Sequence, residues 1–66
     1  MPNFDPDKLR RARERAMLTQ AELAKRIDGS EATINRLERG KHPARISTVR
    51  RIAEALSVPP TDLFSD

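Results

Sequence analysis

The 66-residue sequence contains no cysteine, no tryptophan and no tyrosine, and only two of its residues are glycine. Without cysteine, neither a disulfide nor a thiolate metal site can form. No apolar segment approaches the roughly 18 residues that a membrane-spanning helix needs, and the first residues lack the apolar stretch of a secretory signal peptide. We therefore expect one small cytoplasmic domain. Its stability margin should be thin, because a chain of this size buries only about 60% of its unfolded surface.

Motifs for catalysis and cofactor binding are missing as well. The single histidine, His42, lies in a loop-like segment without a cysteine or a close carboxylate beside it in sequence. It therefore lacks the partners that a metal site or a general base requires. No phosphate-binding GxxxxGKS or GxxxxGKT loop and no GxGxxG motif occurs. We expect no enzyme activity, no metal and no cofactor.

Charge is abundant and unevenly distributed. Charged residues make up 35% of the chain, and the net charge is +3. Six basic residues stand against one acidic residue between positions 36 and 51, a local net charge of +5, whereas the segment from Ile52 onward has no lysine or arginine. A concentrated basic patch suits the phosphate backbone of nucleic acid. The alternative is an ordinary solvated helix surface.

Apolar spacing predicts an all-helical chain. Residues 1–6 contain two prolines and no periodic pattern, so we interpret them as a loose N-terminal arm ahead of one domain at residues 7–66. Helix 1 is predicted over about residues 7–17. Its inward face is expected to consist of Leu9, Ala12, Arg13 and Ala16.

Capping residues mark the next two helices. Thr19 stands at the N-cap of helix 2 with Glu22 three residues later, which is the spacing of a capping box. Ser30 stands at the N-cap of helix 3, which we predict over about residues 30–39. Gly40 then provides a left-handed helix stop.

The remaining sequence predicts two further helices. The apolar face of helix 4 is expected to consist of Ile46, Val49, Ile52, Ala53 and Leu56. Pro59 and Pro60 end that helix. The segment from Pro60 to Phe64 suits a short fifth helix that closes the core.

The most informative segment is QAELAKRIDGSEATINRLERG, residues 20–40, which holds two short helical patterns separated by about three residues. Small and branched apolar side chains occur where two crossed helices would touch, namely Leu23, Ala24, Ile27, Ile34 and Leu37. Such a turn leaves the outer face of the second helix free, and an exposed helix fits the DNA major groove. This segment resembles the helix-turn-helix of the phage repressor and Cro (XRE-like) family. The resemblance extends from about Leu9 to Phe64.

The resemblance implies a compact five-helix, lambda-repressor-like domain that places helix 3 in the major groove of double-stranded DNA. The side chains expected to contact bases are Glu31, Ala32, Thr33 and Arg36. Arg36 can pair with guanine in bidentate fashion, Glu31 can accept from a cytosine amino group, and Ala32 or Thr33 can touch a thymine methyl. The alternative is that these are ordinary solvent-facing helix residues.

Other polar side chains are expected to bind phosphate oxygens, which position a protein without selecting a sequence. The resemblance implies this role for Gln20 at the start of helix 2, and Thr33 or Asn35 can bond phosphates as readily as bases. The expected phosphate contacts are Thr19, Gln20, Ser30, Asn35, Arg39, Lys41, His42 and Arg45. For each of them, a solvated surface residue is the alternative.

Two positions are expected to be structural, and two depart from the family pattern. The resemblance implies an ion pair between Arg13 and Glu38 that ties helix 1 to helix 3. Met17 replaces the glycine that commonly follows helix 1, which makes that junction costlier. Asp28 replaces the usual glycine between helices 2 and 3, and aspartate tolerates a left-handed conformation.

The function implied by this pattern is transcriptional regulation, most simply repression. One small module usually binds too weakly, so we expect a homodimer on a palindromic operator with half-sites about 10 bp apart. Its interface is expected near helix 5 and the C-terminal region, at Val58, Leu63 and Phe64. Two alternatives stay open: a protein-binding module that is an antitoxin for a toxin partner or an adaptor between transcription factors, and a DNA-binding domain from a larger regulator. Helix 1 is basic and amphipathic, but its apolar face is too narrow for membrane binding.

Overall fold

The computed structural model describes residues 3–41 and 43–65, so the expected phosphate contact at His42 lies outside the described residues. Within these ranges the chain forms four α-helices: α1 (Pro6–Arg15), α2 (Gln20–Arg26), α3 (Glu31–Glu38) and α4 (Ile46–Leu56). A 3-10 helix spans Pro60–Leu63, and two short strands, β1 (Asn3–Phe4) and β2 (Phe64–Ser65), pair antiparallel. The domain is mostly helical, but the prediction of an all-helical chain is wrong in one respect, because the two ends of the described chain pair as short strands.

The prediction of a fifth α-helix is wrong for the described residues. The segment from Pro60 to Leu63 forms a single 3-10 turn, because Phe64 returns to an extended conformation with φ −120° and ψ 153°. Phe64 then lies opposite Phe4 in the two-stranded sheet. The two phenylalanine rings pack edge to face with their centroids 6.1 Å apart, an arrangement that aromatic pairs favour.

The interpretation of residues 1–6 as a loose arm is wrong for the described part of that segment. The Asp5 side chain caps α1 by accepting from the backbone N–H groups of Asp7 and Lys8. The Asp5 N–H itself donates to the Leu63 carbonyl over 2.8 Å, and Lys8 Nζ donates to the Phe64 carbonyl over 2.8 Å. These bonds fasten the beginning of the described chain to its end.

The predicted helix caps are confirmed. The Thr19 hydroxyl accepts from the Glu22 N–H over 3.0 Å, and the Glu22 carboxylate accepts from the Thr19 N–H over 2.8 Å, which is a complete capping box. Ser30 accepts from the Thr33 N–H at the start of α3. Gly40 follows α3 with a φ of +69°. The boundaries of α2 and α3 therefore follow from side chains that satisfy free backbone groups.

The two crossed helices pack as the sequence predicts. The predicted contact residues of α2 and α3 are all buried, and they belong to a core of Leu9, Ala12, Leu23, Ala24, Ile27, Ile34, Leu37, Val49, Ile52, Ala53, Leu56 and Leu63. Arg51 of α4 donates to the Ile27 carbonyl at the end of α2. The core thus fixes α2 and α3 against each other and against α4.

Two predicted core positions are wrong. Ala16 is exposed because α1 ends at Arg15, which leaves Ala16 as its C-cap. Ile46 is 56% exposed because it is the first residue of α4, before that helix reaches the core.

Among the residues that the structure describes, three other than glycine adopt left-handed conformations: Met17 (φ +57°), Asp28 (φ +53°) and Ser57 (φ +57°). Met17 follows the end of α1, Asp28 lies in the turn between α2 and α3, and Ser57 caps α4. Such a conformation costs an L-residue roughly 1 kcal/mol or more. The turn at Asp28 forms as its residue type predicts.

Candidate nucleic-acid interface

The polar side of α3 faces solvent because its apolar side chains are turned into the core. Ile34 is fully buried and Leu37 is 4% exposed. Of the side chains expected to contact bases, Glu31, Ala32 and Arg36 are exposed and Thr33 is half-buried. One side of α3 is therefore available to a ligand along the length of the helix.

The start of α3 carries two hydroxyl groups that bond to each other. Ser30 Oγ and Thr33 Oγ1 lie 3.0 Å apart, and Ser30 Oγ also accepts from the Thr33 N–H over 3.2 Å. One hydroxyl hydrogen is used in the mutual bond, so the other remains for a further acceptor. A phosphate oxygen or an acceptor on a base edge fits this requirement.

A cleft of about 340 Å³ adjoins α3 and the start of α4. Arg36 and Arg45 both line it, together with Thr33, Leu37, Pro43 and Thr48. The cleft thus brings together two side chains expected at bases and one expected at phosphate. Pro43 and Thr48 were not predicted, although Thr48 follows Arg45 by three residues in the sequence and so lies about one helical turn on.

The first turn of α4 adds positive potential to this surface. Among the described residues, its N-cap Arg45 makes no side-chain capping bond, and no acidic residue occupies the first turn. Helix N-termini carry a partial positive charge and free N–H groups. Arg39 at the C-cap of α3 and Lys41 in the loop that follows are also exposed. These positive groups together suit an extended anion.

An ion pair joins α1 to the end of α3. Arg13 donates from Nε to Glu38 Oε2 over 2.6 Å and from Nη2 to Glu38 Oε1 over 3.0 Å. The two side chains are 13% and 5% exposed, and Arg13 Nη1 also donates to the Leu18 carbonyl over 2.8 Å. The hydrogen bond to the Glu38 carboxylate raises the pKa of Arg13 above its ordinary value. Arg13 is therefore engaged within the protein.

Two of the expected phosphate contacts extend this ion pair. Gln20 Nε2 donates to Glu38 Oε1 over 3.1 Å, and Asn35 Nδ2 donates to Gln20 Oε1 over 3.4 Å. We call Arg13, Glu38, Gln20 and Asn35 the polar network. The sequence analysis did not predict that Gln20 and Asn35 belong to this network. The three-residue spacing of Asn35 and Glu38, which places both on one face of α3, could have indicated it for Asn35.

The other expected phosphate contacts lie at the surface. Thr19, Ser30, Arg39, Lys41 and Arg45 are all exposed. In the part of the chain that the structure describes, no group of three or more His, Cys, Asp or Glu side chains could hold a metal ion. No helix in the same ranges is long and apolar enough to cross a membrane.

Comparison with solved structures finds close similarity of fold. The restriction-modification controller protein C.AhdI from Aeromonas hydrophila has a TM-score of 0.86 and 27% identity, over 89% of this chain and 86% of that one. The clp gene regulator ClgR from C. glutamicum has a TM-score of 0.83 and 26% identity, over 88% of this chain and 75% of that one. The P22 c2 repressor, solved in complex with a synthetic operator, has a TM-score of 0.81 and 24% identity, over 88% of each chain.

The sequence comparisons give the family. No curated protein matches the chain. A family model described as a helix-turn-helix domain matches residues 7–64, nearly the whole sequence. The chain therefore belongs to the helix-turn-helix domain family, and its fold is like that of the P22 c2 repressor.

Proposed function

We propose that this protein is a sequence-specific regulator of transcription that binds double-stranded DNA with α3 in the major groove. The observation that carries the proposal is the exposed side of α3, with Arg36 and Arg45 lining one cleft beside it. An α-helix fits the major groove, and an arginine fork there can pair with both acceptors of a guanine. The local charge of +5 between positions 36 and 51 favours the approach of DNA.

The base-contacting residues in this proposal are Glu31, Ala32, Thr33 and Arg36. Arg36 pairs with a guanine, and Glu31 accepts from the amino group of a cytosine. Ala32 and the Thr33 methyl group face thymine methyl groups. Because Glu31 is a carboxylate close to DNA, it favours sequences that offer it a donor and disfavours the others.

Phosphate contacts position the domain on the duplex. Arg39, Lys41 and Arg45 are exposed around the end of α3 and the start of α4, and they neutralise one strand. Thr19 and Ser30 add hydroxyl donors at the starts of α2 and α3. Gln20 uses one amide hydrogen on Glu38 and keeps the second for a phosphate oxygen. The role of Asn35 is to hold Gln20.

Regulation is supported by what similar proteins are. C.AhdI is a controller protein and ClgR is a gene regulator. A domain of 66 residues that covers an operator has a direct physical way to act, because it occludes the polymerase. We therefore propose repression as the sign of regulation.

The proposed active form is a homodimer on a palindromic site with half-sites about 10 bp apart. The expected interface needs revision, because Leu63 is fully buried in the core. Val58 and Phe64 remain as half-buried apolar side chains in the C-terminal region. In residues 3–41 and 43–65, the large apolar side chains that are mostly exposed are Met17 and Ile46, outside that region. We therefore propose a weak dimer that assembles on DNA.

Selection of bound sites from random duplexes tests the proposal. The wild-type protein is compared with Arg36→Ala and with Arg26→Ala. Arg26 is an exposed arginine at the end of α2, so its variant removes the same charge away from the proposed interface. The wild type should enrich one palindrome. Arg36→Ala should lose preference at one base pair per half-site, by about 1–3 kcal/mol, because a bidentate contact is lost.

The control defines the contrary results. Arg26→Ala should enrich the same palindrome as the wild type. Equal relaxation by both arginine variants would mean that α3 does not contact bases through Arg36. Absence of any enriched sequence for the wild type would overturn the proposed function.

A further inference from the structure

Two features of Met17 are energetically unfavourable, and the described structure shows no contact that compensates for them. Its side chain is 88% exposed, the highest of the large apolar side chains that are mostly exposed among residues 3–41 and 43–65. Its backbone is left-handed, with a φ of +57°. Exposure of a thioether side chain to water and a left-handed backbone at a bulky residue are each unfavourable. Strain of this kind concentrates at functional positions.

The other left-handed positions have a local explanation that Met17 lacks. Gly40 has no Cβ and adopts this conformation freely. Asp28 and Ser57 have short polar side chains, and aspartate is among the residues that tolerate the conformation. Methionine has neither property. Glycine at position 17 would form the same helix stop at lower cost.

The junction that carries Met17 is fixed firmly to the start of α2. The Met17 N–H donates to the Glu14 carbonyl over 2.9 Å, and the Leu18 N–H donates to the Arg13 carbonyl over 3.2 Å. The Leu18 carbonyl in turn accepts from Arg13 Nη1 over 2.8 Å. Met17 therefore projects from a rigid junction two residues before the N-cap of α2. That junction adjoins the polar network, which holds Gln20.

The charge around this junction suits an anionic partner. Arg15, two residues before Met17, is exposed in the last turn of α1, and Arg11 is exposed one turn earlier. Glu14 is the acidic residue between them. In the proposed complex, the start of α2 faces a phosphate through Thr19 and Gln20. Each phosphate of that strand is joined to deoxyribose sugars, whose carbon atoms offer apolar surface.

We propose that Met17 packs against the deoxyribose of the DNA strand that faces the start of α2. This inference rests on the proposed function and deepens it by assigning a sugar contact outside α3. The carbon face of a deoxyribose offers apolar area without sequence information. A flexible thioether adapts to that irregular surface. Binding removes the apolar surface of the Met17 side chain from water, and this burial favours the complex.

The first test replaces Met17 with glycine. Met17→Gly relieves the left-handed strain, so the urea midpoint should rise, while the sugar contact is lost. Affinity for the selected palindrome should fall about 3- to 10-fold, which corresponds to part of the burial of one methionine side chain. The fall should be equal on unrelated duplexes, and the dependence of affinity on salt should not change. Improved folding together with weaker binding is not what a merely structural role produces.

Ser57→Gly is the matched control. It removes the same kind of left-handed strain at the end of α4. That end lies about 16 Å along the helix from its start, which adjoins the cleft lined by Arg36 and Arg45. Its urea midpoint should rise as well. Its DNA affinity should equal that of the wild type.

Two further variants separate apolar contact from proximity to DNA. Met17→Leu keeps an apolar side chain of similar volume and should retain most of the affinity. Met17→Lys places a cation within reach of the backbone. It should make the slope of log affinity against log salt concentration more negative by about 0.9.

The outcomes are distinguishable. If the wild type binds duplex DNA and Met17→Gly binds equally tightly, the sugar contact is overturned and the proposed function stands. An unchanged salt slope for Met17→Lys would also overturn it, because Met17 would then face away from the DNA. Failure of the wild type to bind any duplex would overturn the proposed function and this inference together.

Discussion

The side-chain amide of Gln20 donates to the Glu38 carboxylate over 3.1 Å, so the first residue of α2 is fixed to the last residue of α3. Arg13 holds the same carboxylate from α1. Three helices therefore meet at one nearly buried anion. The bonds to this anion hold the start of α2 to the end of α3 and fix the Gln20 side chain that we propose as a phosphate contact.

Removal of Arg13 should destabilise the domain strongly. Arg13→Met leaves the Glu38 carboxylate 5% exposed in the native geometry, without its cationic partner. Breaking a buried pair in this way costs about 3–5 kcal/mol. Equilibrium urea unfolding followed by far-UV circular dichroism measures the change.

The double variant Arg13→Met, Glu38→Met is the control for that measurement. Replacement of both charges removes the stranded anion, so the double variant should be more stable than Arg13→Met alone. A cost below about 1 kcal/mol for Arg13→Met would mean that the pair behaves like an exposed one.

Much of the fold was predictable because the relevant signals are local. Thr19 with Glu22 and Ser30 with Thr33 satisfy backbone groups within three or four residues, so their positions alone mark where α2 and α3 begin. The apolar spacing within residues 20–40 then defines the face that each helix buries. The exposed side of α3 follows by exclusion.

Contacts between distant parts of the chain were not predictable in this way. The sequence around Pro60 favours a helix. Phe64, however, pairs with Phe4, which lies near the other end of the sequence, and this pairing ends the turn at Leu63. The bond between Asn35 and Gln20 likewise requires two helices in their final orientation. Spacing along a helix shows that two side chains share a face, but it does not show which partner they meet.

Stability at acidic pH should depend on the capping box of α2. Hydrogen bonds from Thr19 lower the pKa of Glu22 below the ordinary glutamate value. A carboxyl whose pKa is lowered on folding contributes stability above its unfolded pKa, and that contribution is lost as pH falls through the folded pKa. The free energy of unfolding of the wild type should therefore decrease as the pH falls below the ordinary pKa of glutamate. Glu22→Gln keeps an oxygen acceptor for the Thr19 N–H but does not titrate, so its decline should be smaller in urea unfolding measured at stepped pH. Identical pH profiles would contradict the assignment.

Lys41 should contribute to DNA affinity without contributing to sequence preference. Lys41→Ala removes one exposed cation from the loop after α3. Affinity should fall by a similar factor on all duplexes, and the slope of log affinity against log salt should become shallower by about 0.9. Fluorescence anisotropy at several salt concentrations measures both effects. Lys25→Ala removes the same charge from the last turn of α2 and should leave the slope unchanged. A change of preferred sequence with Lys41→Ala would mean that Lys41 contacts bases.

The C-terminal segment should be essential to folding, and its contribution to dimer formation should come from Val58 rather than Leu63. Leu63 is fully buried among the core residues, so Leu63→Ala should cost about 2–5 kcal/mol. Val58 is half-buried, so Val58→Ala should cost about 1 kcal/mol and leave the domain folded. Urea unfolding measures stability, and sedimentation with a palindromic duplex measures the number of protein copies bound. Val58→Ala should reduce cooperative occupancy of the two half-sites because apolar contact area between the copies is lost. If Leu63→Ala proves as stable as the wild type, the 3-10 helix is not part of the core.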